Sequence, residues 1–195
     1  MRVKEGNKEK DILDASVKVF AQKGYHTAKI TDIAKEAGVA AGSVYLYYEN
    51  KEDLLLKIFE QLWRTLYKGL KEVSDIQSIS PVEKIESMVD LLFDIFAQNP
   101  SLAIVFVNEQ NRLLLTTDGA FIKFHDDFLE LGENFLKEGI EQKYFSPDID
   151  IKVFRHFIVG AIRNLLNEWA LDSENVPLNK IRQNVKFFVK HGIRK

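Results

Sequence analysis

The chain has 195 residues, 46% of them hydrophobic, with no cysteine and a formal net charge of −2. That length suits one or two small domains burying about 70% of the unfolded surface, and the missing cysteine excludes disulfides, thiolate zinc sites and thiol catalysis. The overall balance also excludes a uniformly basic nucleic-acid binder, although residues 1–51 carry nine Lys/Arg against seven Asp/Glu while the remainder carries 18 against 22. The N-terminus has no apolar run of signal-peptide type, and no segment approaches the ~20 apolar residues of a membrane span, so a cytoplasmic location is expected.

Helical periodicity runs through nearly the whole chain, and no convincing alternating strand pattern interrupts it. Ile12, Ala15, Ser16, Val19 and Phe20 form the apolar face of a first helix that stops at Gly24. Residues 31–37 form a second, Gly38 supplies its turn, and residues 41–48 form a third. Asn50 reads as the cap of a fourth helix, with Asp53 completing a box-like pattern and a stripe of Leu55, Phe59, Leu62, Leu66, Leu70 and Val73. Ser80-Pro81 opens a fifth, striped by Val82, Ile85, Val89, Leu92 and Phe96. Asn99-Pro100 closes it and caps a sixth that runs to about Leu115, with a break expected over residues 116–119. Phe121, Phe124, Phe128, Leu131 and Phe135 mark a seventh helix, residues 150–171 an eighth, and Pro177 opens the last, with Leu178, Ile181, Val185 and Phe188 in register. The expected fold is all-α, about nine helices, with an N-terminal helix-turn-helix domain over residues 1–50 and a helical ligand-binding and dimerisation domain over residues 51–195.

The stretch TDIAKEAGVAAGSVYLYY, residues 31–48, carries the functional signal. A helix that reads DNA must enter a major groove about 12 Å wide, so its leading edge needs small or hydrogen-bonding side chains and its back needs apolar anchors. Ala41, Gly42 and Ser43 supply the slim edge, Val44 and Tyr48 the anchors. Tyr45 and Tyr47 are placed to reach phosphates, and Lys29 and Thr31 stand at a helix N-terminus that attracts them. Lys51 is a further phosphate candidate.

This block resembles the TetR family of bacterial repressors. The resemblance is carried by FAQKGY (residues 20–25), IAKEAGV (33–39), Gly42, Tyr45 and KEDL (51–54). It implies that the first three helices bind DNA, that the fourth links to the ligand domain, and that the last two pair across a dimer. Carried over by position, it puts DNA contacts on Lys29, Thr31, Ala41, Gly42, Ser43, Tyr45, Tyr47 and Lys51. The chain departs from the pattern at Lys29, where Thr is common, at Ala41, where Lys is frequent, and at Tyr48, which replaces a usual Phe.

Residues 80–170 are rich in Phe, as a core or an apolar cavity between helices requires. Phe93, Phe96, Phe106, Phe124, Phe128 and Phe157 are the candidate lining, and Arg112, in the polar interruption Glu109 to Arg112, the candidate anchor for an anionic head group. Arg155 and Arg163 are secondary candidates. The motifs Tyr45-Leu46-Tyr47, Leu102-Ala103-Ile104-Val105 and FIVGAIRNLLNEW (157–169) resemble the FadR-like branch of the TetR family. That resemblance implies a long-chain acyl-CoA effector that releases DNA, and control of fatty acid metabolism genes. Val153, Phe157, Leu165, Ile181, Val185 and Phe188 offer two apolar stripes for a homodimer interface, whose two-fold symmetry would match a palindromic operator with recognition helices about 34 Å apart. His26, His125, His156 and His191 are scattered; His125 beside Asp126 and Asp127 has no second His at ligand spacing, so no metal site is expected. No phosphate-binding loop, dinucleotide fingerprint or nucleophile triad appears, so no cofactor and no enzyme activity are expected. Two alternatives remain open: a sensor of drugs or other hydrophobic small molecules, and a helical interaction protein without DNA binding.

Overall fold

The computed structural model describes residues 7–116, 120–172 and 175–192, and these form nine helices. They are α1 (Lys8–Lys23), α2 (Ile30–Glu36), α3 (Ala41–Val44), α4 (Lys51–Ser74), α5 (Pro81–Gln98), α6 (Pro100–Thr116), α7 (Ala120–Glu141), α8 (Ile151–Leu171) and α9 (Leu178–Gly192). The break expected over residues 116–119 falls mostly on residues 117–119, which lie outside the described residues.

The helix ends follow from side chains that satisfy orphan backbone groups. Asn7 accepts from the Lys10 N–H to start α1, and Asp150 accepts from the Val153 N–H to start α8. Ser80 and Glu83 form a reciprocal box at α5, the Glu83 carboxylate accepting from the Ser80 N–H at 2.8 Å and the Ser80 hydroxyl from the Glu83 N–H at 3.3 Å. The Ser80 hydroxyl also donates to the Glu83 carboxylate at 2.7 Å, and that bond, with the one from the Ser80 N–H, holds the Glu83 carboxyl below its usual range. At α4 the expected box is shifted by one residue. Asn50 accepts from the Glu52 and Asp53 N–H groups, but Asp53 accepts from the Glu49 N–H at 3.1 Å. The third helix is shorter than expected. Beyond Val44 the chain continues in turns, with Leu46 donating to Ser43 and Tyr47 to Val44, three residues back. Gly, Ser, Val and Tyr are weak helix formers, and nothing in this segment favours a longer α-helix.

Packing extends the expected stripes to wider arcs. α1 buries Leu13 and Val17 as well as its predicted face, because α2, α4 and α6 all lie against it. α4 buries Leu54, Ile58 and Trp63 besides Leu55, Phe59, Leu62, Leu66 and Leu70, while Val73 is half-buried. It packs on α1 at one end and along α7, α5 and α6 beyond. α4 is therefore the rigid element shared by the head and the rest of the molecule. Phe59 is fully buried, with Phe121 and Phe106 rings 5.9 and 6.4 Å away. α5 lies between α7 and α9, and α6 lies between α1 and α8.

His125 is buried with its ring edge-on to Trp63, centroids 4.7 Å apart, and Nδ1 lies 2.8 Å from the Asp126 carboxylate. Burial pushes its pKa below the usual 6.5, and the Asp126 contact opposes that only in part. The unfolded chain thus takes up a proton near pH 6.5 that the folded chain resists, so stability is full above that pH and falls as pH drops through it. Urea unfolding at pH 7.5 and pH 5.5 should show a larger loss for the native sequence than for His125→Gln; equal losses would remove His125 from the pH dependence.

Candidate nucleic-acid interface and effector cavity

The helix-turn-helix is built on a glycine turn. Gly38 has φ +68°, a left-handed conformation that side chains disfavour, and it ends α2 by a full Schellman arrangement. Val39 N–H donates to the Ala34 carbonyl at 2.9 Å and Gly38 N–H to that of Lys35 at 3.2 Å. Ile33 and Ala34 bury α2 against α1, and Lys23–Asp32 (2.7 Å) and Lys18–Glu36 (3.3 Å) ion pairs tie the same two helices. The Lys23 hydrogen bond draws the Asp32 carboxyl below its usual range.

After the turn, Val44 is fully buried and Tyr48 nearly so, its hydroxyl donating to the Glu9 carbonyl at 3.1 Å. These two residues anchor the back of α3 as the sequence suggests, and the Tyr48 hydroxyl gains a partner that Phe would lack. The opposite face is open. Gly42 is exposed, with no atom within 4 Å of where a Cβ would stand. Tyr45 is 58% and Tyr47 41% exposed, Lys29 and Thr31 are exposed at the start of α2, and Ala41 and Ser43 are half-buried. Leu46, 79% exposed, joins this surface and was not anticipated.

Lys51 is the exception among the candidate DNA contacts. Its ammonium donates to the carbonyls of Tyr25 (2.6 Å), His26 (3.0 Å) and Ala28 (3.0 Å) and stands 4.6 Å from the Tyr25 ring centroid. All three donors of an ammonium are therefore engaged. Lys51 fastens the α1–α2 turn to the start of α4 instead of reaching outward. A lysine reads the same in sequence whichever role it has, so only the fold reveals this.

Arg112 also differs from expectation. It sits against the head, with its guanidinium 4.7 Å from the Tyr25 ring centroid, Nε 3.1 Å from Glu109 and Nη1 3.9 Å from Glu52. Burial pushes the Tyr25 hydroxyl above its usual pKa, and Arg112 opposes that. The Tyr25 ring is thus gripped by one cation from α4 and another from α6.

A cavity of about 100 Å³ lies further along, enclosed by α4 to α9 with a largely apolar wall. Phe106 and Phe128 line it, as anticipated. Phe93, Phe96, Phe124, Phe157 and Arg112 do not. Phe96 backs Phe106 at 4.9 Å, Phe93 is buried beneath Arg182, Phe124 covers Tyr67 and Arg64, and Phe157 is 67% exposed. Phe recurring at helical spacing shares one helix face, but that face meets several neighbours along its length. The wall is completed by Trp63, Met88, Leu92, Gln110, Leu129, Phe154, Ile158 and Ile162, together with Arg155 and Arg163. Arg155 is paired with Glu133 at 2.8 Å, whereas Arg163 has no ion pair among the described residues. Gly132 admits Met88, whose sulfur would lie 2.8 Å from a Cβ at that position.

α8 and α9 carry an exposed apolar surface. Val153 (65%), Phe157 (67%) and Phe188 (64%) belong to it, with Phe187 (56%) and Leu171 (77%) in addition. Val185 is buried within the chain, and Leu165 and Ile181 are half-buried. Val185 faces its own core because α9 packs on α5, so it is not part of any exposed stripe. Among the described residues no single helix is long and apolar enough to cross a membrane.

The family description "Bacterial regulatory proteins, tetR family" matches residues 12–58, and "YsiA-like protein, C-terminal region" matches residues 60–192. The chain belongs to the TetR family. It is 30% identical over 183 residues to the fatty acid metabolism regulator protein of Bacillus subtilis (strain 168), covering 93% of each chain. Among solved structures it is similar to the fatty acid degradation regulator FadR of Bacillus halodurans, with a TM-score of 0.82, 31% identity and coverage of 98% and 99%. The FadR of Bacillus subtilis in complex with stearoyl-CoA gives a TM-score of 0.78 at 27% identity, covering 95% and 99%. This protein is a DNA-binding transcriptional regulator, as its relatives are, and not an enzyme.

The Lys51 anchorage has a measurable consequence. Lys51→Met should lower the stability of the protein by about 1–3 kcal/mol through three abandoned carbonyls. Chemical unfolding reads it, and a variant as stable as the native protein would contradict the structural role.

Proposed function

We propose that the protein is a homodimeric repressor of fatty acid metabolism genes in the cytoplasm, held on a palindromic operator by two helix-turn-helix heads and released when a long-chain acyl-CoA enters the cavity. The observation that carries the reading is the position of α6. Gln110 on this helix lines the cavity, and Arg112, two residues on and so about 200° around the helix, grips Tyr25. One helix therefore joins the effector space to the turn that positions α2.

The size of the cavity supports a mechanical role. A site of about 150 Å³ holds one benzene, so a space of about 100 Å³ admits an acyl chain only if helices move apart. Binding and displacement of α6 are then the same event, and the ligand shifts the equilibrium by its difference in affinity for the two arrangements. The charge of the wall favours an anionic effector: Glu133 is neutralised by Arg155, and Arg163 is left over. That choice favours an acyl-CoA over a cationic drug. Arg163 takes over the head-group role first assigned to Arg112.

On the DNA side, the open space above Gly42 is the place a base edge would occupy, with Ser43, Tyr45, Tyr47, Thr31 and Lys29 around it. Phosphate contacts make the affinity fall steeply with salt. A Cβ at Gly42 meets no atom within 4 Å, so Gly42→Leu should melt no lower than the native protein. The variant's affinity for the operator should fall toward the non-specific level, about a thousandfold or more. A gel shift on palindromic DNA, with and without stearoyl-CoA, tests both halves: native affinity in Gly42→Leu, or no release by stearoyl-CoA, contradicts the respective half.

Val153, Phe157, Phe187 and Phe188 support the dimer as an apolar surface of the kind that seeks a partner. The double substitution Phe157→Glu and Phe188→Glu should give a folded monomer by sedimentation, with operator binding lost at concentrations where the native protein binds. An unchanged dimer would place the interface elsewhere.

A further inference from the structure

Two residues of the cavity wall carry a buried polar atom without a partner. Trp63 Nε1 and Gln110 Oε1 are buried and have no hydrogen-bond partner among the described residues. Each residue is 3% exposed, and both line the cavity, from α4 and α6 respectively. Buried polar atoms are paired in nine cases of ten or more, so two orphans on one wall need a reason. They are also of opposite sense, since the indole N–H only donates and the amide oxygen accepts. The indole is held in place by its neighbours, edge-on to His125 with Phe128 at 5.5 Å and Phe106 at 6.2 Å.

A featureless alkyl chain filling this space would leave both groups unsatisfied. We infer that Trp63 and Gln110 form a polar recognition point inside the cavity, and that the preferred effector carries a hydroxyl on its chain at that depth. A hydroxyl accepts from the indole N–H and donates to the amide oxygen at once, whereas a ketone serves only the indole and a methylene serves neither. If the Gln110 amide turns over, its NH2 donates and the same hydroxyl still accepts. The inference rests on the acyl-chain reading above and narrows it to oxygenated long-chain acyl thioesters.

Calorimetric titration of the full-length protein tests it with stearoyl-CoA and with hydroxystearoyl-CoA isomers whose hydroxyl is moved along the chain. Phenol and toluene serve as a pair of CoA-free probes. Trp63→Phe removes the indole N–H and Gln110→Leu the whole amide, each leaving an apolar side chain in its place. One hydroxyl position should bind about tenfold more tightly than stearoyl-CoA, and either substitution should erase that preference. The ratio of phenol to toluene affinity should fall by a similar factor in both variants, and Gln110→Leu should melt no lower than the native protein. Stearoyl-CoA binding as tightly as every isomer, with a phenol-to-toluene ratio unaffected by either substitution, would overturn the polar recognition point while leaving the acyl-CoA reading intact. A ratio that responds to both substitutions, with no CoA compound bound, would uphold the recognition point and overturn the acyl-CoA reading.

Discussion

Tyr25 is held from two sides, and the arrangement of the whole molecule turns on that grip. Lys51 from α4 stands 4.6 Å from its ring centroid and closes the carbonyls of the surrounding turn, while Arg112 from α6 stands 4.7 Å away. A cation over an aromatic face contributes about 0.5–2 kcal/mol, depending on how far water is excluded. Allosteric coupling of about 1–3 kcal/mol changes an affinity 5- to 150-fold. The Arg112 contact alone is therefore of the right magnitude to connect a ligand site to a DNA-binding head. The Lys51 contact is different in kind. It joins the head to α4, the same helix that buries Phe59 and Trp63 in the body.

Polar groups inside the body are arranged in the same economical way. Glu133 holds Arg155, Lys84 lies 2.9 Å from Glu138, and Arg182 and Lys186 on α9 pair with Asp90 and Asp94 on α5. These pairs join helices that flank the cavity, and their partial burial screens them less than open surface pairs. An expansion of the cavity that kept them intact would have to open on the α6 and α8 side. There α6 packs on α8, and the head lies directly beyond α6.

The helix-turn-helix was legible because its signals are local. Gly38 is a backbone requirement, the small residues Ala41, Gly42 and Ser43 are a groove requirement, and Val44 and Tyr48 are four apart; none depends on distant parts of the chain. The helices of the body were legible for the same reason, since caps such as Asn50 and Ser80 are written next to the turns they satisfy. The cavity was not. Phe93, Phe96, Phe106, Phe124, Phe128 and Phe157 are equivalent by periodicity, and the fold disperses them to core, wall and surface according to which helix each meets. Arg112 sits against the head while Arg163 lines the cavity for the same reason, because an arginine's partner is set by packing between helices. Lys51 is the sharpest case: its position in the sequence is local, but the three carbonyls it binds lie 23 to 26 residues away.

The cations of the head bear on why the proposed repressor would use two heads. Lys18 and Lys23 are paired with Glu36 and Asp32, and Lys51 is committed to the turn. The other lysines among the described residues 7–51, Lys8, Lys10, Lys29 and Lys35, have no ion pair there. A single head on the proposed operator thus neutralises few phosphates, and its sequence-independent affinity is low. Joined two by two in the proposed dimer, the heads would bind with an avidity that depends on both engaging at once and vanishes when geometry forbids it. A small displacement of α6 need not destroy either recognition surface. It need only change the spacing between two weak heads, and the second attachment is lost.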